Sequence, residues 1–336
     1  MNDGAECPGQ AMPASLGVVV IGRNEGERLR RCLASVLGPA RPVVYVDSGS
    51  TDGSLASAQA LGAHVHALDL SRPFTAARAR NAGMRQLQAL HEGLAYVQFV
   101  DGDCEVAAGW LQSAARFLDA HPEVAAACGR RRERHPGRSI YNLLCDLEWN
   151  TPVGEARACG GDVLMRAAAL QQVGGYRDDL IAGEEPELCV RLRARGWKVW
   201  RLDAEMTLHD AAMTRFGQWW KRSERTGFAY AEGAHLHGAP PEGHWVRESR
   251  SAWFWGAVLP LAIVLIAGFG GPLWLAAAAI YPLQVLRLYR RTVGPARERF
   301  ARSFFLVLGK FPEAAGQARY FLHRLSGTRG RLIEYK

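Results

Sequence analysis

The sequence has no Cys-x-x-Cys pair: its seven cysteines, Cys7, Cys32, Cys104, Cys128, Cys145, Cys159 and Cys189, fall at irregular intervals. Neither a zinc ribbon nor a disulfide framework is indicated, and reduced, mostly buried thiols in a cytosolic compartment are expected. No Gly-x-Gly-x-x-Gly follows the opening strand and no Gly-x-x-x-x-Gly-Lys-[Ser/Thr] occurs, so the dinucleotide fingerprint and the P-loop are both missing. Dehydrogenase and ATPase readings lose their warrant, and a phosphate must be held by a metal and by side chains such as Arg78 or Arg80. Internal repeats and low-complexity tracts are also lacking. Met1 to Ser15 carries Asp3, Glu6 and two prolines without an apolar stretch. These residues do not read as a signal peptide, and a flexible N-terminus over 1–15 is expected.

What is present is a chain of 336 residues with 48% apolar content, enough for a real core in one large or two ordinary domains. The net charge of +8 is unevenly placed. From Val285 onward there are 12 basic and 3 acidic residues, whereas the rest of the chain has 29 basic and 30 acidic ones. A nucleic-acid binder would spread its basic residues over one folded face. Here they cluster behind an apolar stretch, so no nucleic-acid partner is expected.

From Leu16 short apolar runs alternate with amphipathic stretches, which predicts a βαβ succession and an α/β sheet with helices on both faces. Strands are expected at Gly17–Ile21, Val43–Val46, His64–Ala67, Ala95–Val100, Val124–Cys128 and Trp197–Leu202. Helices are expected at Glu25–Leu37, Gly53–Leu61, Thr75–Leu90, Ala108–Ala120, Glu184–Arg195 and Thr214–Glu232. The strands ending at Ile21, Val46 and Val100 each run directly into polar residues. Ligands of open α/β sheets sit outside the carboxyl ends of strands, so these three clusters are expected to converge on one crevice. Arg130, Arg131, Arg132 and Arg134 read as a basic loop, either solvated or facing a lipid-linked diphosphate.

Ser251 to Leu286 contains no charged residue over 36 positions. One helix of that length would rise about 54 Å, well beyond the ~30 Å of bilayer hydrocarbon. Gly268, Gly270, Gly271 and Pro272 at its middle predict two apolar helices joined by a turn, and arginines flank both ends (Arg247, Arg250, Arg287, Arg290, Arg291). A membrane hairpin over 251–288 with both ends in the cytoplasm follows, spanning or re-entrant; a buried hairpin in a soluble core is the alternative. The expected organisation is a catalytic unit over 16–235 (halves 16–120 and 121–235), a linker over 236–250, the hairpin, and a basic amphipathic tail over 289–336 suited to the headgroup level. The bulk of the chain is accordingly expected on the cytoplasmic face of the cell membrane.

Asp101-Gly102-Asp103 follows an apolar strand, so two hard oxygen ligands emerge at a strand end, with Gly102 allowing close backbone approach. They suit Mg²⁺ or Mn²⁺ bound together with a substrate's phosphates. Asp47, ending the second strand, is placed to accept from a nucleobase N–H or a ribose hydroxyl, or else to organise its turn. Asp52 reads as a helix cap. His209, as neutral imidazole, completes the metal or diphosphate site or is structural. Trp219, Trp220 and Trp253 read as acceptor-path residues or as core anchors.

These residues resemble the family 2 glycosyltransferases, the inverting GT-A enzymes that use nucleotide-diphosphate sugars. The matching elements are Val18-Val19-Val20-Ile21-Gly22-Arg23-Asn24-Glu25, Val46-Asp47-Ser48-Gly49-Ser50-Thr51-Asp52-Gly53, Ala79-Arg80-Asn81-Ala82-Gly83, Asp101-Gly102-Asp103, and Gly183-Glu184-Glu185-Pro186-Glu187-Leu188-Cys189 with Arg191, Arg193 and Gly196-Trp197 behind it. The resemblance covers about Gly17 to Tyr230. It implies a nucleotide-sugar site, with a lean to uridine, at Ile21, Arg23, Glu25, Asp47, Arg80, Asp101 and Gly102. It also implies a divalent metal on Asp103 and Asp101 with His209 nearby, and a catalytic base at Glu185 with Glu184 as the alternative. The family's Glu-Asp is Glu184-Glu185 here, and its common Tyr after the first strand is Arg23. Gln218-Trp219-Trp220-Lys221-Arg222 departs from the Gln-x-x-Arg-Trp of processive members, which favours transfer of one sugar. The expected acceptor is membrane-associated, lipid-linked or glycan; a non-catalytic nucleotide-sugar-binding scaffold is the alternative function.

Overall fold

The computed structural model describes residues 16–38 and 41–327; segment 1–15 with Cys7, and the end of the basic tail, lie outside the described residues. From Leu16 the chain runs β1 (Leu16–Gly22), α1 (Glu27–Val36), β2 (Val43–Asp47), α2 (Ser54–Ala60), β3 (His64–Ala67), α3 (Ala76–Leu90), β4 (Tyr96–Asp101), β5 (Cys104–Val106) and α4 (Trp110–Ala120). It continues through β6 (Val124–Glu133), α5 (Ile140–Glu148), β7 (Gly154–Ala156), β8 (Val163–Arg166), α6 (Ala167–Gln172), α7 (Glu184–Ala194), β9 (Lys198–His209) and α8 (Phe216–His237). The strands lie in the order β3-β2-β1-β4-β8-β6-β9-β5, with β7 on β9. β3, β2, β1 and β4 are parallel to one another, and β8 joins β4 antiparallel, so the sheet is mixed.

Period-two alternation in β1 explains the layering. Val18 and Val20 face one way, onto Leu29 and Leu33 of α1 and Trp110 of α4. Val19 and Ile21 face the other, with Val46, Phe99, Leu87 of α3 and Leu188 of α7. Gly83 brings α3 down onto this second face: a Cβ there would lie 2.3 Å from Val19 Cγ1 and 3.0 Å from Val46 Cγ2. Both neighbours are stiff at χ1, so Gly83→Ala is expected to cost about 1–3 kcal/mol of stability. The readout is a lower urea midpoint at unchanged slope; an unshifted midpoint would show that the helix moves away freely.

Two differences from the sequence expectation matter for the site. The strand expected over Trp197–Leu202 continues as β9 to His209, because its later residues mix exposed and covered positions rather than forming an apolar run, and are held by pairing with β6 on one side and β5 on the other. Arg130, Arg131 and Arg132 are not in a loop: they lie in β6, where Arg130 pairs with Asp146 at 2.9 Å, Arg131 with Asp162 at 2.8 Å and Arg132 with Glu205 at 2.6 Å. Arg134, just beyond the strand, pairs with Glu105.

After α8 come α9 (Val246–Trp253), a π-helical turn (Phe254–Val258) and α10 (Leu259–Gly270), together one continuous helix of 25 residues that is long and apolar enough to cross a membrane. Gly271 at φ +96° turns the chain. A 3-10 helix (Pro272–Ala279) and α11 (Ile280–Arg291) form the return leg, held to the first where Tyr281 Oη donates to the Trp255 carbonyl at 2.7 Å. α12 (Ala296–Leu308) and α13 (Lys310–Leu325) follow. The second half of the basic tail is packed into the fold rather than lying free: a Cβ on Gly227 of α8 would stand 2.0 Å from the Glu313 carbonyl oxygen, and one on Gly316 of α13 would stand 1.9 Å from that of Glu224. Glycines there let the two helices touch through their backbones.

Candidate active site

Parallel register sets the donor side. Gly22 pairs with Asp47 and Ile21 with Asp101, so the ends of β1, β2 and β4 stand level. Ile21, Arg23, Glu25, Asp101, Gly102, Asp103 and His209 line one cleft of about 260 Å³ at that edge, and Ser48 joins them. Gly102 sits against β1, its N–H donating to the Ile21 carbonyl at 2.8 Å. The Arg23 guanidinium lies 4.8 Å from the Phe74 ring centre, a planar pair at the mouth of the cleft. Glu25 pairs with Arg28 at 2.7 Å.

Asp47 is buried and is not among the lining residues; it organises its own turn. Its carboxylate accepts from Tyr45 Oη at 2.8 Å and from the N–H groups of Gly49 and Ser50 at 2.9 and 2.8 Å. A carboxylate offers about four lone-pair sites, so one acceptor direction is left for a ligand. Arg78 is likewise occupied, donating to the carbonyls of Asp69, Arg72 and Pro73 and so holding that loop.

β5 was not legible as a strand, yet it brings His209 to Asp103. It pairs Cys104 with His209, which puts His209 Nε2 3.1 Å from Asp103 Oδ2. Burial, with Arg131 nearby, lowers the His209 pKa to about 4, so the imidazole is neutral at physiological pH. Its Nδ1 is buried without a hydrogen-bond partner. Two carboxylates and a neutral imidazole are a donor set that fits Mn²⁺ or Mg²⁺. Among the described residues, Asp103, Cys104 and His209 bring donor atoms within 4.8 Å of one another, and burial keeps the Cys104 thiol protonated; Asp101, the second carboxylate, is engaged by Arg80.

The acids sit at the start of α7. Arg80, 2% exposed, joins them to the donor cleft: Nη1 donates to Glu184 Oε1 at 2.7 Å and Nη2 to Asp101 Oδ1 at 2.9 Å. Asn81 beside it clamps the loop before α7 through Tyr176 and Asp178. Burial pushes the Glu184 carboxyl up, but Arg80 and Arg225 outweigh it and hold the group below the usual range. Glu185 is pushed up by burial, only partly offset by hydrogen bonds from Cys189 Sγ at 2.9 Å and the Cys159 N–H at 2.7 Å. Both acids line a second cleft of about 280 Å³. Arg222 and Arg225 of α8 line this cleft and the donor cleft alike.

Residues 17–158 match the family model for Glycosyl transferase family 2. Over that segment, less than half of its length, the chain is similar to the family 2 glycosyltransferases. Its fold, a mixed central sheet with helices on both faces, is GT-A. Mannosyltransferase PcManGT from Pyrobaculum calidifontis, in complex with GDP-Man and Mn²⁺, superposes with a TM-score of 0.62 at 18% identity, over 94% of this chain and 91% of that one. S. aureus TarS, residues 1–349, gives 0.51 at 17% identity, over 87% and 90%. The pre-mycofactocin glycosyltransferase of Mycobacterium tuberculosis is 27% identical over 234 residues, 66% of this chain and 47% of its own length. The chain thus spans about half the length of that curated relative.

Several residues of the site escaped the sequence reading. Asp162, fully buried, accepts from the Asp101 N–H at 3.0 Å and from Thr207 Oγ1 at 2.8 Å and pairs with Arg131, so it fixes the backbone of the metal motif. Arg131 lies 5.4 Å from the Trp149 ring centre, and Trp149 meets His209 edge-on at 4.6 Å. The Gly160-Gly161 pair was the available signal for Asp162: a Cβ on Gly161 would stand 2.6 Å from Arg80 Nη2, so the chain passes directly over the Arg80–Asp101 pair. Of the tryptophans, Trp219 packs in a core cluster with Cys145 and Met213.

Proposed function

We propose that the protein is an inverting glycosyltransferase that moves one sugar from a nucleoside-diphosphate sugar, with UDP-sugar the expected donor, onto a hydroxyl of a lipid-linked acceptor at the cytoplasmic face of a membrane. The observation that carries the reaction is the Arg80 bridge: one buried guanidinium holds Asp101 at the donor cleft and Glu184 at the acid cleft. Donor diphosphate and acceptor hydroxyl would therefore meet across a fixed element. Glu185 receives the proton of the acceptor hydroxyl as its oxygen attacks the anomeric carbon opposite the departing diphosphate. One displacement of this kind inverts configuration. A divalent cation held by Asp103, Asp101 and His209 supplies charge neutralisation for the leaving diphosphate. PcManGT carries GDP-Man and Mn²⁺ in its complex, and TarS has been captured with UDP-GlcNAc.

The lipid-linked acceptor is supported by the hairpin and by what lies at its base. Tyr281, Leu286, Tyr289, Phe300, Phe304 and Phe311 line an almost wholly apolar groove of about 680 Å³. A neighbouring cleft at Phe305 and Arg302 shares Arg222, Thr226 and Tyr230 with the acid cleft. A track from an apolar chain site to the base is what a lipid carrying a polar head would use.

The test measures both halves on the full chain. Mn²⁺ with UDP-sugars should raise the melting temperature more than either alone, since ligands bound only by the native state stabilise it; GDP-sugars serve as the comparison. No stabilisation by any nucleotide-sugar would overturn the donor reading. Phe269 and Leu273, 93% and 88% exposed at the hairpin tip, can be changed without touching the core. Phe269→Asp with Leu273→Asp should abolish flotation with anionic vesicles, since each charge costs about 2.5–3.5 kcal/mol at membrane depth. Undiminished flotation would remove the hairpin from the membrane.

A further inference from the structure

Three thiols that the transfer reaction does not use converge on its proposed base. Cys128 is in β6, Cys159 in the loop after β7, and Cys189 one turn beyond Glu185 on α7. Cys189 Sγ donates to Glu185 Oε1 at 2.9 Å, and the Cys159 N–H donates to the same oxygen at 2.7 Å. The neighbouring thiols of Cys128 and Cys189 push the Cys159 thiol well above its ordinary pKa. The sulfurs of Cys159 and Cys189 and a Glu185 carboxylate oxygen all lie within 4.8 Å of one another.

Tetrahedral zinc with bonds of ~2.0–2.3 Å sets neighbouring ligand atoms about 3.3–3.8 Å apart. To meet that geometry Cys189 Sγ and Glu185 Oε1, 2.9 Å apart, would open by about half an ångström, and no pair starts more than 4.8 Å apart. Two thiols and a carboxylate select a borderline-soft cation, unlike the oxygen-rich pair at Asp101 and Asp103. Access exists: Cys159 is the one partly exposed cysteine among those described, and Glu185 lines the acid cleft together with the adjacent Gly160.

We propose that Cys159, Cys189 and Glu185 form a second cation site, for Zn²⁺, which inhibits the enzyme by taking its base as a ligand. Binding forms two Zn–S bonds and one Zn–O bond and releases the two thiol protons to solvent; no electron is transferred. Cys128, which interacts with Cys159, would be the third sulfur and a fourth ligand. The inhibitory half rests on the assignment of Glu185 as the base, whereas occupancy of the site does not.

The experiment uses the full chain, kept reduced by a phosphine and supplied with Mn²⁺ for turnover. Cd²⁺, which reports thiolate coordination by its ultraviolet charge-transfer band, should bind the wild type with one equivalent. Cys159→Ser and Cys189→Ser should each weaken that binding by more than the ~10- to 100-fold typical of losing an outer-shell partner. Equimolar Zn²⁺ should suppress transfer in the wild type. In Cys159→Ser, whose altered side chain is partly exposed and whose fold is therefore least at risk, it should leave most of that variant's own turnover. No band in the wild type overturns the site and leaves Glu185 as base untouched. Equal Zn²⁺ inhibition in both serine variants also overturns it, placing the ion at Asp103 and His209. A band with undiminished turnover overturns the inhibition and the assignment of Glu185 as base together.

Discussion

Glu185→Gln is expected to lower kcat for sugar transfer by about 10²- to 10⁴-fold, the range ascribed to a positioned general base, while Mn²⁺-dependent stabilisation by UDP-sugar stays as in the wild type. The two acids at the head of α7 are neighbours with opposed environments. Arg80 and Arg225 hold Glu184 below the usual carboxylate range against the pull of burial, which keeps it ionised but makes it a poor proton acceptor. Glu185 is pushed the other way by burial and has no arginine directly on it, so its affinity for a proton is the greater of the two. Gln is close to isosteric and keeps an oxygen that can accept from the Cys159 N–H and the Cys189 thiol, so the fold should survive. Because a base works only when ionised, wild-type kcat should rise with pH through the Glu185 pKa, above the ordinary carboxylate range. That acidic limb should vanish from the residual rate of the variant. Transfer at the wild-type rate would remove Glu185 from the mechanism, and loss of donor binding with transfer would make it a structural residue.

The strands that carry the donor motifs were legible because they are buried on both faces and read as continuous apolar runs. Val18 to Ile21, Val43 to Val46 and Tyr96 to Val100 needed no tertiary information, and each ends on the polar residues that meet in the cleft. Asp101 and Asp103 could be placed for that reason, whereas the Glu184-Glu185 pair, at the start of α7, was placed by the family resemblance. β5, β7 and β8 are 3, 3 and 4 residues long, too short for periodicity to show. His209 comes beside Asp103 because β5 pairs with the polar end of β9, a long-range register absent from any local pattern. Arg131 of β6 and Asp162, in the loop just before β8, meet although 31 positions apart, and neither has a motif around it. The bond that links the two halves of the site, Arg80 to Glu184, spans 104 residues.

Arg80→Met should be the most destabilising substitution in the site, at about 3–5 kcal/mol, the cost of removing one partner from a buried ion pair. Arg80 is 2% exposed and answers two carboxylates that are themselves partly shielded. Methionine fills much of the space but leaves Asp101 and Glu184 with their charges unanswered. In the wild type, the depressed pKa of Glu184 contributes stability that is present above its unfolded pKa and lost as pH falls through the folded one. The variant lacks this contribution, so its deficit should be largest near neutral pH and shrink in acid, as the stranded carboxyls take up protons. Urea unfolding at neutral and acidic pH measures the difference. Arg80→Lys keeps the charge but not the fork that reaches two acceptors at once, and its stability should lie between the two. Turnover should fall in both variants, because Asp101 and Glu184 would no longer be fixed relative to each other. A methionine variant within about 1 kcal/mol of wild type, the range of an exposed pair, would show that solvent reaches this bridge and that the clefts are joined by something other than Arg80.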